Sequence, residues 1–312
     1  MRRRALLGTM AAVPAFQARA QQIPTVGVLL AGDPEPSWSF FRKAMADLGY
    51  VEGRTVAFDY RAAGVNNAEL DRMAAALVSR KVDVIVAVLS QAIEAAKRAT
   101  TTIPIVFFGA APEIGSVASI ARPEANLTGV FNPSSSVAGK GLQLFKEIKP
   151  ATKSVGLLLN DADPFHVPLQ RAVEAAGRAE GLATPAALIK TRPELEQAFA
   201  AMKADGVDAV FTQPSLGFEA SAALQLQYRL PLFSFRRELP DAGGLFSYGA
   251  NQADNMRQVA DYAARVLKGA RPADLPLQQA SRFELVANQK TARTLGIVLP
   301  PLFLARCDEV IE

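Results

Sequence analysis

The chain has 312 residues, with 34 Lys and Arg against 30 Asp and Glu and a formal charge of +4. Half of the residues are hydrophobic and mean hydropathy is +0.12, which excludes a disordered chain, since disorder needs low hydrophobicity and high net charge. The single cysteine, Cys307, excludes an intrachain disulfide. One Cys and one His cannot build a zinc site from N and S ligands, so neither a metal nor another cofactor is expected.

Residues 1–20 hold Arg2, Arg3, Arg4 and Arg19 and no acid, so they carry the whole excess of positive charge. The remainder is balanced and has no Lys/Arg block to neutralise phosphates, which argues against nucleic acid as a partner. The same twenty residues run from a basic start through the mostly apolar stretch 5–16 to Ala18-Arg19-Ala20. This is the layout of an export signal cut after Ala20, by the general or the twin-arginine route. The apolar part is shorter than the roughly 20 residues a spanning helix needs. No cysteine lies near the cut to carry a lipid anchor. The expectation is a periplasmic chain, soluble and not lipid-anchored.

From there strands and helices alternate. Residues 25–30 read as a buried strand, and 38–48 carry Phe40, Phe41, Met45 and Leu48 at helical spacing. Strands follow at 55–60, 82–89, 103–108 and 127–131, with helices at 68–81 and 90–100. The pattern restarts with strands at 154–159, 186–189, 208–212 and 231–235 and helices at 168–180, 194–203 and 218–228. A long helix at 251–268, a strand at 283–287 and a short helix at 291–295 complete the reading. Strands separated by helices of 10 to 15 residues predict an α/β fold of two doubly wound parallel-sheet lobes. Ligands of such sheets bind beyond the carboxyl ends of the strands. The loops 31–37, 90–91, 109–115, 160–165, 213–217 and 235–237 are therefore the expected walls of an interlobe cleft.

Catalytic signatures are scarce. His166 is the sole imidazole and would have to serve any Ser–His–Asp triad; a lightly packed residue at a helix start is the plainer reading. Cys307 reads as an inert thiol. No Gly-x-Gly-x-x-Gly, phosphate-cradling loop or Gly-x-Ser-x-Gly elbow occurs, and Gly139-Lys140-Gly141 lacks the third glycine. Asp161 and Asp163 read as a polar turn before Pro164. Trp38 is either core or a stacking platform. Arg236 and Arg237 are either carboxylate clamps or surface partners of Glu238 and Asp241.

Several blocks together are more specific. They are Gly49-Tyr50-Val51-Glu52-Gly53, Thr102-Ile103-Pro104-Ile105-Val106-Phe107, Asn126-Leu127-Thr128-Gly129-Val130, Ala242-Gly243-Gly244-Leu245-Phe246-Ser247-Tyr248-Gly249, Lys268-Gly269-Ala270-Arg271-Pro272 and Phe283-Glu284-Leu285-Val286-Ala287-Asn288. In order and spacing they resemble the tryptophan/phenylalanine-type substrate-binding proteins of ABC transporters, from about residue 23 to 312. The resemblance implies a type I periplasmic binding protein, a monomer that closes on a small solute by hinge motion. It also implies a membrane permease with its cytoplasmic ATPase as partner, and no catalysis. Three crossovers are expected near 131–133, 247–251 and 277–281. Lobe one would comprise 23–131 plus 249–277, and lobe two 132–248 plus 278–312.

The expected ligand residues are Ser37, Ser90, Gln91, Asn160, Gln213 and Ser215 as polar tethers, Trp38 and Phe165 as apolar faces, Gly109 and Ala110 from the loop after the fourth strand, and Arg236 and Arg237. Relatives often carry Gly-Asp-Pro in that fourth loop; here it is Gly109-Ala110-Ala111-Pro112-Glu113. The missing aspartate and the extra Arg236 favour an aromatic or aliphatic carboxylate over a free amino acid. A periplasmic sensor and an exported α/β enzyme are the alternatives.

Overall fold

The computed structural model describes residues 23–32, 35–63, 67–123 and 126–312. The expected export signal and its cleavage site lie outside them. In chain order the elements are β1 (Thr25–Leu30), α1 (Ser37–Asp47), β2 (Ala57–Ala62), α2 (Asn67–Ser79), β3 (Val84–Val88), α3 (Ser90–Ala99), β4 (Ile105–Gly109) and β5 (Leu127–Phe131). Then come α4 (Ser134–Ile148), β6 (Val155–Asn160), α5 (His166–Glu180), β7 (Ala186–Ile189), α6 (Arg192–Ala204), β8 (Ala209–Thr212), α7 (Phe218–Tyr228), β9 (Leu232–Ser234), α8 (Glu238–Asp241) and β10 (Phe246–Ala250). The chain ends with α9 (Gln252–Leu267), β11 (Gln278–Gln279), β12 (Phe283–Asn288), α10 (Gln289–Leu295), α11 (Pro301–Leu304) and β13 (Glu309–Ile311).

These strands form two sheets. The first has the order β11-β5-β4-β3-β1-β2 and is parallel throughout. The second has the order β13-β12-β10-β9-β8-β6-β7, with β12 antiparallel to β10 and the other pairs parallel. Each sheet is covered on both faces, as its continuous apolar strands require. In β1 the two-residue period sends Val26, Val28 and Leu30 into the core under α1 and α9, and Leu29 into the core under α2 and α3. In lobe two, Phe233 lies between Phe145 and Phe246, with ring centroids 5.6 and 5.0 Å away and near-parallel planes.

The chain passes between lobes three times. After β5 it enters α4, which packs on the second sheet; after β10 it enters α9, which packs on the first; after β11 it enters β12. Two short segments belong to the other lobe from the one expected. Gly249 and Ala250 pair with Glu284 and Phe283 in the second sheet, because β10 completes its ladder with β12 before crossing. Gln278 and Gln279 pair with Val130 and Phe131 in the first sheet, so β11 extends that edge before the third crossover. The hinge is tied by polar side chains. Asn251 caps α9 by accepting from Asp254 N, and its Nδ2 donates to Glu284 Oε2 over 2.8 Å. Burial pushes the Glu284 carboxyl above its ordinary range.

Between β5 and β6 the structure has the fifteen-residue α4. Its three serines and two glycines lower local helix propensity. The glycines serve packing instead: a Cβ on Gly139 would press on Ala176 of α5, and one on Gly141 would press on the Phe233 ring.

Candidate functional site

A doubly wound sheet opens a crevice where neighbouring strands send their connections to opposite sides. In lobe one that point lies between β1 and β3, and in lobe two between β6 and β8. The loops after β3 and β4 face those after β6, β8 and β9 across a narrow slot. Leu89, Ser90, Phe108, Gly109 and Ala110 line it from lobe one, Asn132 and Ser134 from the first crossover, and Asp163, Phe165, Gln213, Pro214, Ser215, Phe235 and Arg236 from lobe two.

Asp163 is the centre of the lobe-two wall. It is buried, and its Oδ2 accepts from Gln213 Nε2 at 2.6 Å and Ser215 Oγ at 2.9 Å, while Oδ1 accepts from Phe165 N at 3.0 Å. Burial pushes the carboxyl from 3.8 up to about 6, against those three hydrogen bonds and the nearby His166, which pull it down. His166 itself only closes the turn, with Nδ1 2.8 Å from the Asp163 carbonyl oxygen. One layer behind, Asn160 N donates to Gln213 Oε1 at 3.0 Å and Asn160 Nδ2 to the Ser215 carbonyl at 3.3 Å. These bonds fix the Gln213 amide so that its NH2 end points at Asp163.

On the facing wall, Leu89 has φ 72° and ψ 158°, a region otherwise populated almost only by glycine. Holding a leucine there costs on the order of 1–3 kcal/mol, a form of strain that gathers at binding sites. It starts α3, whose first turn carries no side-chain cap. Asn132 is only 5% exposed, and its Oδ1 has no hydrogen-bond partner among the described residues. Glu113, in the loop after β4, accepts from Ser135 N at 3.3 Å and from Ser135 Oγ, which ties a lobe-one loop to the start of α4. Burial raises its carboxyl above the ordinary value.

The structure therefore gathers Ser90, Gly109, Ala110, Phe165, Gln213, Ser215 and Arg236 at the slot, with Asn160 immediately behind. Four expected residues lie elsewhere. Ser37 is buried and accepts from Gln252 Nε2, joining α1 to α9. Trp38 packs on Phe58 and Tyr60 at the β2 edge, with centroids 5.2 and 4.7 Å away. Gln91 is buried in α3 and does not line the slot. Arg237 pairs with Asp241 at 3.2 Å and Glu309 at 3.1 Å on the outer side of lobe two.

Arg236 reaches the slot, where its Nε and Nη2 both donate to the Glu238 carboxylate. That pair is neutral overall, so Arg236 brings no unpaired charge to the slot. Asp163 and Asn132 also line the slot and were not among the expected residues. The signal for Asp163 was its place in a strand-to-helix loop two residues before Phe165, the spacing of an Asx turn. Asn132 sits directly after β5 at a crossover.

No helix among the described residues is long and apolar enough to cross a membrane, and no cluster of His, Cys, Asp and Glu among them could hold a metal ion.

Comparison with known proteins decides the family. Residues 37–311 match the model of the ABC transporter substrate binding protein family. The chain belongs to that family. Its function is solute capture for an ABC transporter, and the family is one of binding proteins, not of enzymes. A curated relative, a tyrosine-binding protein of Clostridioides difficile, is 23% identical over 263 residues, covering 82% of this chain and 75% of the relative. A Vibrio cholerae conserved domain protein of known structure is 26% identical, with TM-score 0.86 over 93% of this chain and all of that one. An L-Trp complex from Streptococcus pneumoniae is 24% identical, with TM-score 0.85 over 92% of this chain and 99% of that one. A ligand-free, open substrate binding protein from Clostridium difficile gives a TM-score of 0.65 at 19% identity, over 93% of this chain and 99% of that one. The family-type two-lobe α/β fold is thus the one expected from the sequence.

Proposed function

We infer that the slot binds a free amino acid, with the ligand ammonium on Asp163. The observation that carries this reading is the Asp163 carboxylate, buried in the slot wall, held by three donors and paired with no Lys or Arg among the described residues. A buried charge needs a partner. The unpartnered Asn132 Oδ1 adds a second acceptor. The opposite end of a zwitterion would face the uncapped first turn of α3 at Ser90, where free N–H groups favour a carboxylate. Phe108, Phe165 and Phe235 supply apolar walls.

The ligand touches both lobes only when they are together, so it favours the closed arrangement and shifts its population. The closer match to the L-Trp complex than to the ligand-free open relative supports reading the present arrangement as closed. In the cell, the loaded form would hand its solute over from the periplasm by docking on an ABC permease driven by a cytoplasmic ATPase. The relatives' recorded ligands, tyrosine and L-Trp, support the amino-acid class.

The test is thermal unfolding against the twenty amino acids and a set of simple carboxylates. A true ligand at about 100 times its dissociation constant stabilises by about 2.7 kcal/mol. A response to carboxylates lacking an amine, with none to amino acids, would overturn the reading.

A further inference from the structure

The slot opens outward into a wider mouth. Leu89, Pro214 and Arg236 line both, and the mouth adds Glu35 from lobe one and Phe218, Glu219, Glu238 and Asp241 from lobe two. Its charges do not cancel. Arg236 is held by Glu238, and Asp241 is held by Arg237, which also binds Glu309. Glu35 and Glu219 have no ion-pair partner among the described residues, although Glu35 Oε2 accepts weakly from Ser39 N at 3.3 Å. One of these carboxylates comes from each lobe, and both line the same mouth. Like charges facing across a closing cleft oppose closure unless a cation lies between them.

The inner end of the same path asks for donors too. Asn132, buried at 5% exposure in the slot lining, has an Oδ1 with no partner among the described residues. Between the two ends Leu89 and Pro214 give apolar walls beside the Glu238-paired Arg236, and Phe218 lines the mouth.

We propose that the ligand is an amino acid with a cationic side chain, its α-ammonium at Asp163 and Asn132 and its side-chain cation between Glu35 and Glu219. The proposal rests on the amine reading given above and narrows it. The chemistry is that of a primary amine joined by an aliphatic chain to a second positive group. Leu89 and Pro214 would cover the methylenes, as apolar surfaces cover the stems of lysine and arginine. The second cation relieves the repulsion that closure creates, so it contributes in the closed state above all.

The experiment is calorimetric titration with L-lysine and with L-norleucine, which has the same chain without the terminal ammonium, at low and at physiological salt. The expected result is a Kd for lysine on the order of tenfold lower than for norleucine, a ratio that shrinks as salt screens the exposed carboxylates. In the double variant Glu35→Gln/Glu219→Gln the ratio should fall toward one. Circular dichroism of this surface variant checks its fold. Equal or tighter binding of norleucine, or a lysine preference that survives the double variant, overturns the proposal while leaving the amine anchor standing. Failure of every amino acid to bind overturns both.

Discussion

Gln213 Nε2 donates to Asp163 Oδ2 over 2.6 Å, so the loop after β8 holds the carboxylate of the loop after β6. Asn160 N in turn fixes the other end of the Gln213 amide. The result is a rigid acceptor in the slot wall, set by hydrogen bonds between two neighbouring strand ends. Removing its charge should separate binding from folding. Asp163→Asn is expected to keep the circular dichroism of the native protein and to weaken amino-acid binding by about a hundredfold or more, the scale of a lost buried ion pair. Calorimetric titration measures it.

The raised Asp163 carboxyl gives two pH dependences of opposite sign. Its value is about 6 when folded and 3.8 ordinarily. Between these values the folded state binds more protons than the unfolded one, so this group favours folding as pH falls from 7 toward 4, by on the order of 3 kcal/mol. An ammonium ligand needs the ionised form, so its Kd should rise about tenfold for each pH unit below 6. Melts and titrations from pH 4.5 to 8, compared with Asp163→Asn, isolate both effects. The variant should lack the rise in Kd and the gain in stability.

Ser37 tests the correction made by the structure. Its hydroxyl accepts from Gln252 Nε2 inside lobe one, away from the slot. Ser37→Ala leaves a buried donor unpaired and should cost about 1–3 kcal/mol in a urea melt. Ligand affinity of the folded variant should stay within about twofold. A ligand tether at Ser37 would instead lose affinity with little change in stability.

Much of this was legible from the chain. Continuous apolar runs such as 25–30 and 84–88 mark strands buried on both faces, and the strand-to-helix loops that follow them are where the slot forms. Ser90, Phe165, Gln213 and Ser215 were named on that basis alone. What failed depended on who pairs with whom. Arg236 and Arg237 pair with Glu238 and Asp241, the alternative the sequence offered, and only the contact with the distant Glu309 lay beyond its reach. Trp38 opens α1 as expected but turns to Phe58 and Tyr60, because the neighbouring edge strand offers aromatic faces. Asp163 read as a turn residue and is one; only the arrival of Gln213, fifty residues later, makes it a buried acceptor.

Gly249 shows the limit set by close backbone approach. A Cβ there would collide with the Phe235 carbonyl oxygen, where β10 passes the end of β9 beside the slot. Gly249→Ala should therefore destabilise by about 1–3 kcal/mol or more, since the contact is backbone and cannot rotate away. A urea melt with an unchanged m-value and a lower midpoint would agree with this.

The central claim is that an amino acid's ammonium sits on Asp163 between the two lobes. The most direct measurement is a crystal structure of the protein grown with the amino acid that stabilises it most. The account predicts density in the slot, with a ligand nitrogen within hydrogen-bond distance of Asp163 and its carboxylate near the start of α3. A ligand bound through Arg236 or Arg237, or stacked on Trp38 with the slot empty, would contradict it.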